Sequence, residues 1–258
     1  MRETNGLEAR TPRRTRRPLV IVAVLAVLVI GGFTGIYLSF FNDDSPERFA
    51  LSDEPATTVP AAGGAPPAPN RSAAGAGADL AGTWRAVTGS SAGYRVREKL
   101  AELPAKSDAV GRSPAVTGTV TVEHAAGTLT ASNATFEVDL TKLVSDDNRR
   151  DQRIRTDGLQ TNRFPKATFT STRAITLPAG TVSGQAVKAT AEGDLTLHGM
   201  TRRVTIPLDV RVDDVRAELV GSLGFPMSDF NISPPNVAGF VTVDSDATLE
   251  FKLFLEKA

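Results

Sequence analysis

Residues 203 to 212 read Arg203-Val204-Thr205-Ile206-Pro207-Leu208-Asp209-Val210-Arg211-Val212. Every even position carries a β-branched or aliphatic side chain, and every odd position except Pro207 carries a polar one. This period of two is typical of a β-strand with one buried face. The same alternation returns at residues 249–256, where Leu249, Phe251 and Leu253 are separated by Glu250 and Lys252.

Six looser runs of the same kind lie between and before these two segments. They occupy residues 93–98, 116–123, 128–140, 167–177, 186–197 and 217–224. Together they predict an all-β domain of eight strands, and the short connections between them favour an antiparallel barrel or sandwich over a parallel sheet. The apolar phase slips between Leu129 and Phe136. A β-bulge near Asn133, of the kind that bends a sheet towards closure, explains that slip.

One segment in this domain departs from the alternation. Residues 145–158 are rich in Arg and Asp, begin with Ser145 and end with Gly158. Serine is a favourable N-cap, carboxylates such as Asp146 suit the first turn, and glycine suits the end of a helix. We therefore predict one short helix here, with Ser145 as its N-cap.

The N-terminal region has the pattern of a membrane anchor. Residues 19–41 contain no charged side chain, and residues 1–18 carry six arginines and two acidic residues. A helix of this length reaches roughly 35 Å, enough to cross a hydrocarbon core of about 30 Å. The run ends in Phe40 and Phe41 rather than in the small residues of a signal-peptide cleavage site. We predict a cytoplasmic basic tail (1–18), a single transmembrane helix (19–41) and an extracytoplasmic C-terminal domain.

Composition separates the anchor from the folded domain. Residues 42–81 contain six prolines, four glycines and eleven alanines, too few large apolar side chains to form a core, and are predicted to be a disordered linker. The domain then extends over residues 82–258. The whole chain has 29 basic and 29 acidic residues and no cysteine. This balance argues against nucleic acid as a partner, and the missing thiols exclude disulfides and a lipoprotein anchor.

Four motifs carry a family resemblance that the alternation does not supply. They are the Arg150-Asp151 pair, residues 162–169 (NRFPKATF), residues 193–201 (GDLTLHGMT) and residues 227–232 (MSDFNI). In order and approximate spacing they resemble the YceI-like family, over roughly residues 83–257.

The resemblance implies a lipocalin-like eight-stranded barrel with an elongated apolar cavity. In that family the cavity binds a polyisoprenoid, either an isoprenoid quinone or a polyprenyl phosphate. An eight-stranded barrel is wide enough either to be filled by side chains or to hold one slender ligand. The inward apolar residues expected to form the cavity are Phe136, Val138, Phe169, Leu195, Leu197, Val204, Ile206, Leu249 and Phe251.

Three polar residues are candidates for contact with a lipid head group. Arg150 and Arg153 could lie at the rim of the cavity and meet a diphosphate or a quinone, and His198 could orient a ligand from a turn. The alternative for the arginines is mutual pairing with neighbouring aspartates on a solvated helix face. The alternative for His198 is a purely structural role in the turn.

No set of residues predicts catalysis. Residues 89–93 (GSSAG) match the G-x-S-x-G motif, but the motif needs a helix after the serine and the residues that follow predict a strand. The chain has only two histidines, so no multi-histidine metal site is expected. We predict a non-enzymatic, membrane-anchored lipid-binding protein without a metal or cofactor. The alternative is a non-catalytic cell-envelope interaction module whose barrel is filled.

Overall fold

A computed structural model of the chain describes two stretches of it, with short gaps in the second. The described residues are 45–53 and 80–258, except 101–105, 127, 179–180, 182–183, 214 and 238–240. The predicted tail (1–18), the predicted anchor (19–41) and most of the predicted linker lie outside them. Among the residues described, none of the helices has the length and hydrophobicity needed to cross a membrane.

The described part of the domain contains twelve β-strands. They are β1 (Gly82–Ala86), β2 (Ser91–Leu100), β3 (Lys106–Ser113), β4 (Val116–Ala125), β5 (Thr128–Asp139), β6 (Lys166–Ser171), β7 (Ile175–Thr176), β8 (Ala186–Leu197), β9 (Met200–Val212), β10 (Arg216–Pro226), β11 (Asn236–Val237) and β12 (Val241–Lys257). One α-helix, α1 (Asn148–Thr156), and two 3-10 helices, Leu140–Lys142 and Met227–Phe230, complete the fold.

Eight of these strands form a closed antiparallel barrel. The pairing runs β1-β4-β5-β6-β8-β9-β10-β12 and returns from β12 to β1. Trp84 of β1 lies opposite Val120 of β4 on one side and Lys257 of β12 on the other, so β1 closes the ring. The predicted all-β barrel with one short helix is confirmed. The predicted strand at 93–98 lies instead in β2, which pairs with β12 and carries β3 on its other edge.

Two local predictions can be compared directly with the backbone. Asn133 has a positive φ of 51°, and the β4–β5 register shifts between Thr119 and Thr121, which confirms the bulge. The helix begins later than predicted. Its N-cap is Asp147, whose side chain accepts a hydrogen bond from the Arg149 amide at 2.7 Å. Ser145 lies two residues before this N-cap, where its hydroxyl accepts from the Asp147 amide at 3.2 Å and donates to the Asp151 carboxylate at 2.7 Å.

The barrel interior has two apolar clusters. The larger one surrounds Trp84, which is 1% exposed and donates its indole N–H to the Leu80 carbonyl at 2.9 Å. The second cluster includes Leu143, Met227 and Phe230, and helix α1 contributes Ile154 to it. The first cluster fills its part of the barrel, leaving a gap of only about 70 Å³. A larger cavity, of about 530 Å³, lies in the second.

Residues 45–53, which composition placed in the linker, lie on the outer face of the barrel and are called the N-terminal strap below. Ser52 donates to the Glu218 carboxylate from both its amide and its hydroxyl, each at 2.9 Å. Burial alone would raise the pKa of Glu218, but the bonds from Lys252 and Ser52 hold it below its usual value. Four cationic side chains donate to backbone carbonyls of the strap: Arg95 to Pro46, Arg112 to Glu47, Lys252 to Ala50 and Arg211 to Ser52.

Candidate functional site

The cavity lies between helix α1 and the inner faces of β2 and β12. Its volume is about 530 Å³, within the range of roughly 300–1,000 Å³ that small-molecule sites occupy. Apolar side chains make most of its wall, among them Val96, Leu140, Leu143, Leu159, Phe225 and Met227. A dry wall of this kind suits a hydrocarbon chain, which needs no polar partner along its length.

The nine predicted cavity residues divide between the two clusters. Val138, Leu197 and Leu249 line the cavity. Leu195 and Val204 pack in the cluster that surrounds the cavity without lining it. The other four pack in or against the filled cluster: Phe136, Phe169, Ile206 and Phe251. The family resemblance implied an elongated cavity running through the barrel, whereas the cavity of about 530 Å³ lies in the part of the barrel next to α1.

Sequence alternation could not have separated these two groups. It states which side chains point inward, but an inward residue in any barrel can equally be part of a packed core. Whether an inward residue lines the cavity depends on which segment packs against it. On this side of the barrel that segment is mostly α1 and the turns that follow it. Leu159 lies beyond the predicted helix and Leu143 lies in an irregular segment, so neither belongs to an alternating run.

Arg150 is the central charge of the cavity wall. Its guanidinium donates to Glu98 of β2 at 2.6 Å and to Asp146 within its own segment. Burial opposes the charge of Arg150, but the two carboxylates outweigh that effect and raise its pKa above the ordinary value. The pair with Glu98 ties α1 to β2 across the cavity. Both interpretations of Arg150 therefore apply: its side chain lines the cavity, and its guanidinium is paired with carboxylates.

Arg149 and Arg153 line the same side of the cavity with exposed side chains. His198 lies elsewhere. Its ring packs edge-on against Phe164 with centroids 4.5 Å apart, and its Nδ1 lies 3.1 Å from the Phe230 carbonyl oxygen. With Gly199 it forms the two-residue β8–β9 turn, in which both residues have positive φ. Of the three predicted head-group residues, the structure brings Arg150 and Arg153 to the cavity and places His198 in a buried turn.

Tyr94 is the functional candidate that sequence reasoning missed. It lines the cavity from β2, and none of the described residues makes a hydrogen bond to its buried hydroxyl oxygen. Desolvation by burial raises the pKa of Tyr94 above its ordinary value of 10.0; Arg150 opposes this shift, and Asp151 and Glu98 add to it. The phenol is therefore neutral and a hydrogen-bond donor. The sequence indicated only that Tyr94 lies on the inward face of the strand predicted at residues 93–98.

The residues of the G-x-S-x-G match do not form the strand-to-helix turn that a serine nucleophile needs. Ser91 begins β2, and its hydroxyl donates to the Ser113 carbonyl at 3.3 Å. The described residues also contain no group of three His, Cys, Asp or Glu side chains placed to hold a metal ion.

Fold and cavity together define a closed antiparallel β-barrel with a mainly apolar cavity next to α1. A family model described as the YceI-like domain matches residues 86–255, which is most of the chain. The chain therefore belongs to the YceI-like family. This agrees with the resemblance carried by its four motifs.

Solved structures are similar to this chain at low sequence identity. A polyisoprenoid binding domain from Saccharophagus degradans, implicated in plant cell wall breakdown, is 18% identical, with a TM-score of 0.50 over 69% of this chain and 99% of that one. A YceI protein of Campylobacter jejuni is 13% identical, with a TM-score of 0.45 over 57% of this chain and 84% of the other.

Curated relatives match a shorter stretch of sequence. A UPF0312 protein of Vibrio vulnificus (strain YJ016) is 31% identical over 123 residues, which are 45% of this chain and 61% of the relative. The match thus spans about three fifths of the length of that relative.

Proposed function

We propose that this protein is a membrane-anchored, extracytoplasmic lipid-binding protein that holds or carries an isoprenoid lipid in its barrel and catalyses no reaction. The observation that carries the proposal is the cavity of about 530 Å³ with its mainly aliphatic and aromatic wall. Burying apolar ligand surface in such a site contributes about 25 cal/mol per Å². An isoprenoid tail gains this stabilisation and loses no hydrogen bonds to water.

Family membership, a solved structure that shares the fold and the distribution of polar groups support a lipid as the occupant. The chain belongs to the YceI-like family, and the Saccharophagus degradans domain that shares its fold is described as a polyisoprenoid binding domain. The polar groups of the cavity also cluster near α1, where Glu98 and Arg150 pair. A ligand with one polar end and a long apolar tail matches that distribution.

The proposed location follows from the N-terminal sequence. An uncharged run of 23 residues preceded by arginines favours a single-pass anchor with a cytoplasmic N-terminus. A lipid that is insoluble in water can exchange with such a protein directly at the outer surface of the cytoplasmic membrane. The proposed partners are therefore this membrane and an isoprenoid lipid.

The test is mass spectrometry of lipids extracted from the full-length protein after purification from its native host. We expect a prenyl lipid in near-stoichiometric amount. Leu159→Trp places a larger side chain in the cavity wall and should reduce the bound lipid severalfold. Val215→Trp, at an exposed position away from the cavity, is the matched control and should retain it. Repeated absence of prenyl lipid from the unmodified protein would overturn the proposal.

The alternative of a cell-envelope interaction module required a barrel filled by its own side chains. The cluster around Trp84 has that character, whereas the part next to α1 does not. A filled barrel therefore describes only one end of the domain, and ligand binding is the better supported function.

A further inference from the structure

We propose that the N-terminal strap fixes the barrel to the surface of the membrane, with the cavity and α1 next to the lipid head groups. The partner of this face is the bilayer into which residues 19–41 are proposed to insert, so the inference rests on the proposed function. It goes further because it states which end of the barrel meets the membrane. A lipid then crosses only a thin layer of water between the bilayer and the cavity.

The strap is bound to the barrel at its start, in its middle and at its end. At its start the Ser45 hydroxyl donates to the Asp108 carbonyl at 2.6 Å. In its middle the Phe49 ring stacks 3.9 Å from an arginine guanidinium. At its end Ser52 donates to the buried Glu218 carboxylate. The folded domain therefore begins with the strap, although composition placed these residues in a flexible linker.

The two ends of the strap lie at different levels of the barrel. Asp108, which binds the start of the strap, pairs with Arg97 of β2 and precedes Ala109, a residue of the cavity wall. Glu218, which binds the end of the strap, pairs with Phe254 near the other end of β12. The chain therefore enters the domain on the side of the cavity and runs from there towards the filled cluster.

The chain between the proposed anchor and the strap is short. Only residues 42–44 separate Phe41 from Ser45. Even fully extended, a chain of that length spans roughly 14 Å, at no more than about 3.6 Å per residue. A free linker over residues 42–81 would instead span roughly 35 Å as a coil. The start of the strap, and the cavity wall beside it, are therefore held close to the point where the anchor leaves the bilayer.

The rim of the cavity has no excess charge that would bind lipid by itself. Among the described residues that line the cavity, the exposed ones are Asp147, Arg149 and Arg153. The exposed charges of α1 and its flanks are balanced, with arginines at 149, 153 and 155 and aspartates at 146, 147 and 157. A balanced surface gains little from anionic lipids, which attract clusters of Lys and Arg. Covalent attachment through the strap, rather than charge, places this rim at the membrane.

The first experiment locates two sites of the domain relative to the bilayer. The chain has no cysteine, so Gln152→Cys on α1 and Val215→Cys each give a single labelling site. Both residues are exposed, and Val215 precedes Arg216, which pairs with Glu256 at the far end of β12. The full-length protein carries a fluorophore at one site and is placed in vesicles with a nitroxide on the lipid head groups. Because nitroxides quench only at short range, we expect strong quenching at residue 152 and severalfold weaker quenching at residue 215.

Two insertions of the same sequence distinguish a bound strap from a free linker. Each adds about twenty Gly/Ser residues, which span roughly 25 Å as a coil. Placed after Asp43, the insertion lies between the anchor and the strap and should lower the quenching at residue 152 severalfold. Placed after Gly64, it lies between Ser52 and Leu80, which are both held on the barrel, and should leave the quenching unchanged.

Uptake of dansyl-labelled farnesol from the same vesicles is a second readout, and it should be severalfold slower with the insertion after Asp43 than with the one after Gly64. Stronger quenching at residue 215 than at residue 152 in the unmodified protein would place the opposite end of the barrel at the membrane. That result, or equal effects of the two insertions, would overturn the inference and leave the proposed function intact. Failure of the unmodified full-length protein to enter vesicles would overturn the proposed anchor together with the inference.

Discussion

Glu250 is the most deeply buried acidic residue of the described domain, at 2% exposure, and it faces away from the cavity. Its carboxylate accepts from Arg95 at 3.1 Å and from Arg112 at 2.7 Å. Arg95 also donates to Asp108 at 3.1 Å. Sequence alternation placed Glu250 on the solvated side of its strand. The N-terminal strap explains the difference, because it lies over this cluster and Phe49 stacks 3.9 Å from the Arg112 guanidinium.

Replacing Glu250 with Gln should destabilise the domain by about 3 kcal/mol, because removing one partner of a buried ion pair leaves the remaining charge uncompensated. Both Arg95 and Arg112 lose their shared carboxylate in this variant. The free energy of unfolding in a denaturant titration measures the effect.

Asp194→Asn is the matched control for that substitution. It breaks the ion pair between Asp194 and Arg203, in which the Arg203 Nε lies 2.7 Å from the Asp194 carboxylate. The Arg203 side chain is 62% exposed and the Asp194 side chain 39%. Exposed pairs contribute below about 1 kcal/mol, so the loss should be small. Equal losses in the two variants would contradict the assignment of Glu250 as the buried centre of the cluster.

At the scale of elements, paired strands of the domain share one packing arrangement. Inward aromatic rings lie over glycines of neighbouring strands, where an added Cβ would come within 2.4–2.5 Å of the ring. The pairs are Phe136 with Gly118, Phe169 with Gly193, Phe251 with Gly221 and Tyr94 with Gly111. A glycine in a strand weakens it locally and marks a close approach of another group. Here the aromatic ring covers the exposed backbone and offsets that loss.

Strand β10 offers a direct test of this packing, because it contains two glycines in different surroundings. A Cβ at Gly221 would lie 2.4 Å from the Phe251 ring, whereas a Cβ at Gly224 would meet nothing within 4 Å. Gly221→Ala should therefore destabilise the domain by about 1–3 kcal/mol through overpacking. Gly224→Ala should be neutral or slightly stabilising, since alanine restricts the unfolded chain. Thermal unfolding of the two variants measures the difference, and an equal shift in Tm would contradict the role assigned to the Phe251 ring.

Much of the element inventory could be predicted from the sequence. The alternation at 203–212 and 249–256 lies within β9 and β12, and the phase slip located the Asn133 bulge. β1 and β3 could not be predicted in the same way. β1 has only five residues, and β3 reads KSDAVGRS, with polar side chains on both faces. Their pairing is imposed by β2, β4 and β12 rather than by their own pattern.

The candidate site was predictable only in part, for a related reason. Val138, Leu197 and Leu249 were found because they point inward on regular strands. Tyr94 and Leu159 acquire their role from what covers them, which is a long-range property. The contacts of the N-terminal strap could not be predicted from the sequence either. Backbone carbonyls of residues such as Pro46 and Ala50 accept the hydrogen bonds, and composition contains no signal for that.

At the scale of the whole molecule, the domain has two apolar clusters inside the barrel and a group of charged side chains on its outer face. The filled cluster around Trp84 supplies the stability of a close-packed core, and the cluster next to α1 leaves room for a ligand. On the outside, Arg95 and Lys252 donate to backbone carbonyls of the strap, and Glu250 pairs with Arg95. A domain without disulfides can maintain an apolar cavity only if the rest of its packing compensates for the contacts that the cavity walls do not make with each other.

The topology of the whole chain can be tested cleanly because the sequence contains no cysteine. Val215 is 67% exposed in the domain, and Thr11 lies in the basic N-terminal segment. If arginine-rich flanks stay in the cytoplasm, a membrane-impermeant maleimide applied to intact spheroplasts should label Val215→Cys and leave Thr11→Cys unlabelled until the cells are lysed. Deleting residues 19–41 should move the protein out of the membrane fraction. Labelling of Thr11→Cys but not of Val215→Cys in intact spheroplasts would reverse the proposed orientation and remove the domain from the outer surface of the membrane.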